Sequence, residues 1–435
     1  MNYNDAMKYI TVVGKLGSSY GLDRTYRLLE ILGNPQKKIK TIHIAGTNGK
    51  GSITSIITSL LMGKGFKVGM YTSPFIEEFE ERIQINRINI KKEVLGNLMD
   101  ELKEAVDKVV KEGLDHPTEF EIITCLMFLY FYKEKVDYAV IEVGLGGRLD
   151  STNVITPLIS VIASISMDHI SFLGDNLASI ASEKAGIIKQ NVPVVVYPQE
   201  IEAEEVIINK AKEMNSPIHI VDVSKAKFIE VINKEKIYQK YSANIDNTEV
   251  EIILPLLGEH QINNSLVAIN AFKVLCEIES LDFNIDKVKK YLLNVEWIGR
   301  LEVLRKKPLV VLDGAHNIGG IKALKENINK YFKYNKMYLL LGILADKDVN
   351  HMVETIAPMA EKVYALTPHS DRAQLSSELR EVILKYNNNC EAIEDYMEAY
   401  KKVLTEAKED DLIIISGSLY MIGDMRKIIT GKAVN

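Results

Sequence analysis

The run Gly46-Thr47-Asn48-Gly49-Lys50-Gly51-Ser52 puts glycines, a lysine and hydroxyls close together in the chain. Placed between a strand and a helix, such a run turns the backbone tightly and aims its N–H groups at a phosphate. The helix amino terminus adds a favourable partial positive charge. Lys50 would reach the β and γ phosphates, and a nearby hydroxyl would face Mg²⁺. The spacing departs from the usual G-x-x-x-x-G-K-[ST], because Ile44 stands at the first glycine position and Gly51 follows the lysine. Taken alone, the run also reads as a glycine-rich turn that merely joins strand to helix.

Further candidates lie at the ends of other apolar runs. Ser73 and Glu142 offer a hydroxyl and a carboxylate, the oxygen donors that Mg²⁺ prefers. A carboxylate near the end of an apolar strand needs a charged partner or a metal, so Glu142 reads either as a ligand or as half of a structural ion pair. His169 offers a nitrogen donor, less usual for Mg²⁺, and a lone histidine is more often structural. Lys184, in Ser182-Glu183-Lys184-Ala185-Gly186, reads by itself as a solvated helix lysine beside an acid. Thr118-Glu119-Phe120-Glu121 precedes the strongly apolar stretch 122–131 and by itself is a capping box. Asp313 and His316 sit on a tight loop, where His316 reads equally as a base, a phosphate contact or a loop hydrogen-bond donor.

The elements that must position these residues alternate in type. Apolar, β-branched runs at 41–45, 67–71, 138–143, 159–165 and 192–197 predict strands buried on both faces. A helix is predicted over 52–62. A second series at 308–312, 337–341, 362–366 and 412–415 repeats the pattern. The segment 294–305, with the only tryptophan (Trp297) and Gly299, suits a domain junction, and the polar segment 224–251 suits a peripheral hairpin. This predicts an α/β protein: an N-terminal P-loop-type domain with a mainly parallel sheet over 1–296, and a smaller C-terminal Rossmann-like α/β domain over 297–435. Open parallel sheets bind ligands at the carboxyl ends of their strands. Polar clusters follow the strands in both series, which suggests a site between the two domains.

Composition narrows the function. The chain has 435 residues, with 47% apolar and 26% charged residues, ordinary for a globular protein. A net charge of −6 argues against a general nucleic-acid binder. No run approaches the about 18 apolar residues of a membrane-spanning helix, and residues 1–10 lack the pattern of a signal peptide. Cys125, Cys276 and Cys390 are too few and scattered for a disulfide framework or a zinc site. A reducing, cytoplasmic compartment is expected, with no nucleic-acid or membrane partner.

Taken together, the motifs resemble the folylpolyglutamate synthase/dihydrofolate synthase family of the Mur ligase superfamily, over about residues 20–425. The resemblance rests on the phosphate run, Tyr71-Thr72-Ser73-Pro74, Glu81-Arg82-Ile83, Thr118-Glu119-Phe120-Glu121 and Glu142-Val143-Gly144-Leu145-Gly146-Gly147-Arg148-Leu149-Asp150-Ser151-Thr152-Asn153. It continues through Asp168-His169, residues 183–188, Gly258-Glu259-His260-Gln261-Ile262-Asn263-Asn264, Gly299-Arg300, residues 313–317, Asp346-Lys347-Asp348 and residues 416–420. The departing spacing of the phosphate run is itself the family form.

The resemblance implies an ATP-dependent amide ligase. ATP phosphorylates a folate carboxylate, and the amine of L-glutamate attacks the acyl phosphate. Gly49, Lys50, Gly51 and Ser52, with Asn264, Arg300 and Asp313, match ATP-binding positions. Ser73, Glu142 and His169 match magnesium positions, and Lys184 matches a lysine that is carbamylated. Lys50, Lys184 and His316 are the implied catalytic residues. Gly21, Leu22, Asp23, Thr118, Glu119, Phe120, Glu121, Leu149, Asp150 and Ser151 match folate-side positions. Substrates are then tetrahydrofolate, dihydropteroate or both, with L-glutamate, and the expected state is a monomer. Phe75 stands where many relatives have histidine. Two other readings are another Mur-superfamily amino-acid ligase and a non-catalytic nucleotide-dependent regulator.

Overall fold

The computed structural model describes residues 1–14, 21–167, 174–234 and 236–432. The chain divides into two compact units, the first made of residues 1–75, 79–225 and 263–295, the second of 76–78, 226–262 and 296–435.

The first unit holds eight strands: β1 (Thr41–Ala45), β2 (Val68–Tyr71), β3 (Ile83–Ile85), β4 (Ile88–Asn89), β5 (Tyr138–Glu142), β6 (Ile159–Ile162), β7 (Val194–Val196) and β8 (Ile218–Ile220). They form one sheet in the order β4-β3-β2-β5-β1-β6-β7-β8. Strands β2, β5, β1, β6, β7 and β8 run parallel, and β3 and β4 add an antiparallel edge. All residues of β1, β2, β5 and β6 are buried, as their continuous apolar runs require. Because these four strands are parallel, the loops that follow them leave at the same edge. β6 is shorter than the expected 159–165: its last hydrogen bond to β1 runs from the Ala163 N–H to the Ala45 carbonyl at 2.7 Å, and Ser164 beyond it bridges Asn48 of the phosphate run.

The helix Lys50–Gly63 follows that run. The helix Glu119–Lys133 opens with the predicted capping box, in which Thr118 and Glu121 each accept from the other's backbone N–H. Its side chains Ile122, Phe128 and Phe131 join the core between sheet and helices.

The second unit holds β9 (Lys227–Asn233), β10 (Ile237–Ile245), β11 (Thr248–Leu254), β12 (Glu302–Lys306), β13 (Leu309–Leu312), β14 (Met337–Leu341), β15 (Lys362–Ala365), β16 (Cys390–Ala392) and β17 (Leu412–Ser416). β11-β10-β9 is an antiparallel sheet, and β12-β13-β17-β14-β15-β16 is a sheet parallel except at β12.

Two expectations about organisation change. The polar segment near 224–251 is three strands rather than a hairpin, and it belongs to the second unit, not to a first domain ending at 296. The reason is packing: Phe228, Val231 and Ile237 lie against that unit's core, and Gln239 accepts a buried hydrogen bond from the Tyr331 hydroxyl at 2.6 Å. Residues 76–78 also belong there. Buried Glu77 pairs with Arg426 at 2.5 Å and Lys432 at 2.7 Å.

Candidate active site

The phosphate run is braced by Ser166, in the segment that follows β6. Thr47 Oγ1 donates to the Ser166 carbonyl at 3.1 Å and accepts from the Ser166 N–H at 3.2 Å. Asn48 Nδ2 donates to Ser166 Oγ at 3.1 Å. Gly49 has φ +87°, and a Cβ there would lie 2.6 Å from Oδ1 of buried Asn264. The glycine therefore serves both a left-handed turn and a close approach. Lys50 and Gly51 open the helix, and Ser52 is buried in its first turn. Asn264 thus stands beside the loop. Thr47, Asn48 and Ser166 were not singled out as site residues, although their polar pattern after two neighbouring strands was the available signal.

Three further residues converge on this edge. Glu142 ends β5 and is 5% exposed. Its Oε2 accepts from the Ser73 N–H at 3.3 Å, and its Oε1 lies 3.9 Å from Lys50 Nζ. Lys184 is 4% exposed, so the reading of a solvated helix lysine is overturned. Its Nζ donates to the Gly46 carbonyl at 2.9 Å, while the neighbouring acid Glu183 pairs with Arg148 at 2.8 Å. The approach depends on glycine: a Cβ at Gly147 would meet the Glu183 carbonyl oxygen at 2.7 Å. The carboxylate of Glu142 and the hydroxyl of Ser73 are hard oxygen donors at adjacent strand ends, a set that suits Mg²⁺ with several retained waters. Among the described residues, no group of three or more His, Cys, Asp or Glu side chains is placed to hold a metal. His169 lies outside the described residues.

The folate-side candidates divide. Phe120 lies against Gly144, where a Cβ would meet its ring at 2.4 Å, and its centroid is 6.2 Å from that of Tyr71. Gly21 adopts φ +133°, and Asp23 opens the helix Asp23–Ile31 as an exposed residue. Leu22 and Leu149 are half-buried, Ser151 is buried, and Glu119 lies against Gly14. Glu121 is buried and committed internally: it pairs with Arg24 at 3.1 Å, accepts from Thr25 Oγ1 at 3.2 Å, and accepts from the Thr118 N–H at 2.7 Å. Asp150 is also committed, accepting from the Leu145 N–H at 2.9 Å and from the Thr152 N–H and hydroxyl at 2.9 and 2.5 Å. Burial raises the Asp150 carboxyl, and these hydrogen bonds oppose the rise. His43 of β1, which was not singled out, reaches Thr152 Oγ1 at 2.9 Å.

In the second unit, a cluster forms at the carboxyl end of β13. Asp313 accepts from the Leu301 and Ala315 N–H groups, both at 2.9 Å. Arg300 donates to the Gly299 carbonyl at 3.1 Å and lies over Gly314. His316 Nδ1 is 2.8 Å from the Gly314 carbonyl. A carbonyl can only accept, so Nδ1 carries the proton, and in the neutral ring Nε2 carries the lone pair that a base requires. His260 was not singled out. Burial lowers its pKa, and the Asp313 and Arg300 charges act on it in opposite directions.

Comparison with known proteins follows this geometry. The family described as Mur ligase middle domain matches residues 44–272, and the Mur ligase glutamate ligase domain matches 299–419. These define a ligase that forms carbon–nitrogen bonds. The dihydrofolate synthase/folylpolyglutamate synthase of Bacillus subtilis is 35% identical, with 98% of each chain covered. The folylpolyglutamate synthase of Lacticaseibacillus casei is also 35% identical, with 99% of each chain covered. The solved folylpolyglutamate synthase of Mycobacterium tuberculosis, complexed with ADP and AMPPCP, superposes with a TM-score of 0.89 at 27% identity, covering 100% of both chains. The chain belongs to the folylpolyglutamate synthase/dihydrofolate synthase family of Mur ligases.

Proposed function

We propose that this chain is an ATP-dependent ligase that adds L-glutamate to tetrahydrofolates, and to dihydropteroate, through an acyl-phosphate intermediate. The observation that carries this reading is the gathering of Lys50, Glu142, Ser73 and Lys184 around a braced phosphate loop at one sheet edge.

A carboxylate is a poor electrophile, since its leaving group would be oxide. Phosphorylation of the folate carboxylate by the ATP γ-phosphate supplies a good leaving group. The transfer spreads negative charge over the phosphoryl oxygens, and the Lys50 ammonium with the N–H groups of Gly49, Gly51 and Ser52 stabilises it. Asn264, Arg300 and Asp313 are the further nucleotide contacts. Ser73 and Glu142 would hold Mg²⁺, with Lys184 as its carbamate; His169 would join this set on the resemblance alone. Mg²⁺ supplies positive charge to the phosphates when bound. Carbamylation would turn a cationic lysine into an anionic oxygen donor, the type a hard cation prefers. His316, with Nε2 unprotonated, accepts the proton that the glutamate amine loses on attacking the acyl phosphate. Phe120 offers a stacking face for the pterin ring.

The enzyme is read as a monomer of a reducing, cytoplasmic compartment. Its three cysteines are free, and no helix among the described residues is long and apolar enough to cross a membrane.

The test is ADP release with Mg²⁺, ATP and L-glutamate, comparing dihydropteroate with tetrahydrofolate and identifying products by mass. Products one glutamate heavier are expected from both. A product from tetrahydrofolate alone would restrict the enzyme to polyglutamylation. ADP release without any glutamylated product would overturn the reading.

A further inference from the structure

We propose that His43 is a positioning residue, which orients the Thr152 hydroxyl and through it the Asp150 carboxylate that sets the folate-side loop, residues 144–151. The proposal rests on the folate reading above and assigns the loop's support to a histidine in the core of the sheet.

His43 is an unusual choice for a central strand. It lies between Ile42 and Ile44 on β1, pairs with Ile141 and Ser160 of the flanking strands, and is fully buried. An aliphatic residue would fill that place without a desolvation penalty. What the imidazole adds is one directed hydrogen bond, from ring Nε2 to Thr152 Oγ1 at 2.9 Å.

The direction of that bond follows from its neighbours. Both oxygens of Asp150 accept backbone N–H groups, Oδ1 from Thr152 and Oδ2 from Leu145, which is the pattern of a carboxylate. The single Thr152 hydroxyl hydrogen therefore goes to Asp150 Oδ1, at 2.5 Å. Thr152 Oγ1 must then accept from His43, so Nε2 carries the ring proton. Burial, and next the Lys189 charge, hold the ring neutral by lowering its pKa to about 3. The chain of donors thus runs one way, from Nε2–H to the threonine hydroxyl to the carboxylate.

The geometry at the far end of this chain is functional ground. Asp150 caps the short turn Ser151–Val154 through the Thr152 N–H and holds the Leu145 N–H of the loop that leaves Glu142. Gly144 of that loop carries the Phe120 ring. If the hydroxyl is no longer pinned by His43, it can rotate away from Asp150, and that carboxylate loses one of the hydrogen bonds that hold it beside the loop.

The experiment measures steady-state ADP release at saturating ATP against the concentration of the folate substrate, for the full-length enzyme and four variants. Thr152→Val, an isosteric loss of the hydroxyl, and His43→Leu should raise the folate KM about five- to tenfold, the net value of one hydrogen bond. The ATP KM and kcat should stay within about twofold. Thr152→Ser and His43→Gln keep the hydroxyl and the donor, and should restore the folate KM. An unchanged folate KM in Thr152→Val would overturn the proposal, as would a Thr152→Ser variant as impaired as Thr152→Val. An independent readout needs no turnover: ¹⁵N-histidine NMR of the ligand-free chain, with His43→Gln assigning the signal. It should find His43 neutral with the proton on Nε2 from about pH 5 to 8. A proton on Nδ1, or titration in that range, would overturn the proposal. If the wild type turns over no folate at all, the functional reading fails while the NMR result still decides the hydrogen-bond chain.

Discussion

Glu121→Gln separates two roles, structural partner and proposed folate contact, for a residue in the first turn of the helix Glu119–Lys133. Glu121 pairs with Arg24 at 3.1 Å, and the two side chains are 3% and 9% exposed. At an effective dielectric constant of ~20, two charges at that distance attract by about 5 kcal/mol. Desolvation offsets much of this in the intact pair, but removing the charge of one partner of a buried pair costs about 3–5 kcal/mol. The amide oxygen of glutamine can still accept the Thr118 N–H, so the capping box survives in part. The expected outcome is a loss of about 3–5 kcal/mol in urea unfolding followed by far-UV circular dichroism. Folate KM, measured below the transition, should change less than about threefold, because both Glu121 oxygens already face protein donors. Glu112→Gln is the control: its partner Arg27 is surface-exposed, so the unfolding midpoint should hardly move. A loss under about 1 kcal/mol, with a rise above about tenfold in folate KM, would refute the reasoning and make Glu121 a substrate contact.

Three other perturbations test the site and the second unit. Lys50→Met should lower kcat by about 10²–10³-fold, the loss expected when one charge-stabilising donor goes; kcat within about tenfold of wild type would remove Lys50 from the phosphoryl transfer. Lys184→Ala should abolish product formation and recover part of it with added small carboxylic acids, while intact-protein mass spectrometry without acidification should find one added carbon dioxide on the wild-type chain and none on the variant. An unmodified active wild type would exclude the carbamate. For Glu77, burial alone would raise the carboxyl, but hydrogen bonds from Lys432 and Arg426 outweigh it and hold the pKa below the ordinary 4.5. The stability this confers is present above that value and is lost as pH falls through the depressed pKa. Acid unfolding curves should therefore be shallower in Glu77→Gln, and superimposable curves would show that Glu77 carries no such linkage.

The sequence was read well where local signals and burial agree. β1 at residues 41–45 and β14 at 337–341 have the expected bounds, since apolar β-branched runs closed by glycine or polar residues need no tertiary information. The Thr118–Glu121 capping box is equally local, because donor and acceptor are three residues apart. The tight turn of the phosphate run was legible for the same reason. The left-handed turn at Gly49 is encoded within the run, whereas its close approach to Asn264 comes from the fold.

What depends on residues distant in the chain was decided by the fold. Lys184 looks like a surface lysine in its own helix, and only packing of that helix onto residues 147–148 buries it against Gly46. Glu121 and Asp150 look available in sequence, yet Arg24 lies 97 positions away from Glu121 and spends its carboxylate on structure. The polar strands β9–β11 show too little apolar patterning to reveal which core they cover; Phe228 and Gln239 settle that by what they touch. His43 is a single polar letter in an apolar strand, and its meaning exists only through Thr152, 109 positions further on. The sequence by itself determined the apolar strands such as β1 and β14, the Thr118–Glu121 cap and the tight turn of the phosphate run, because those are energies between near neighbours. Tertiary structure alone decided which charges are buried and whom they serve, because desolvation depends on everything that packs around a group.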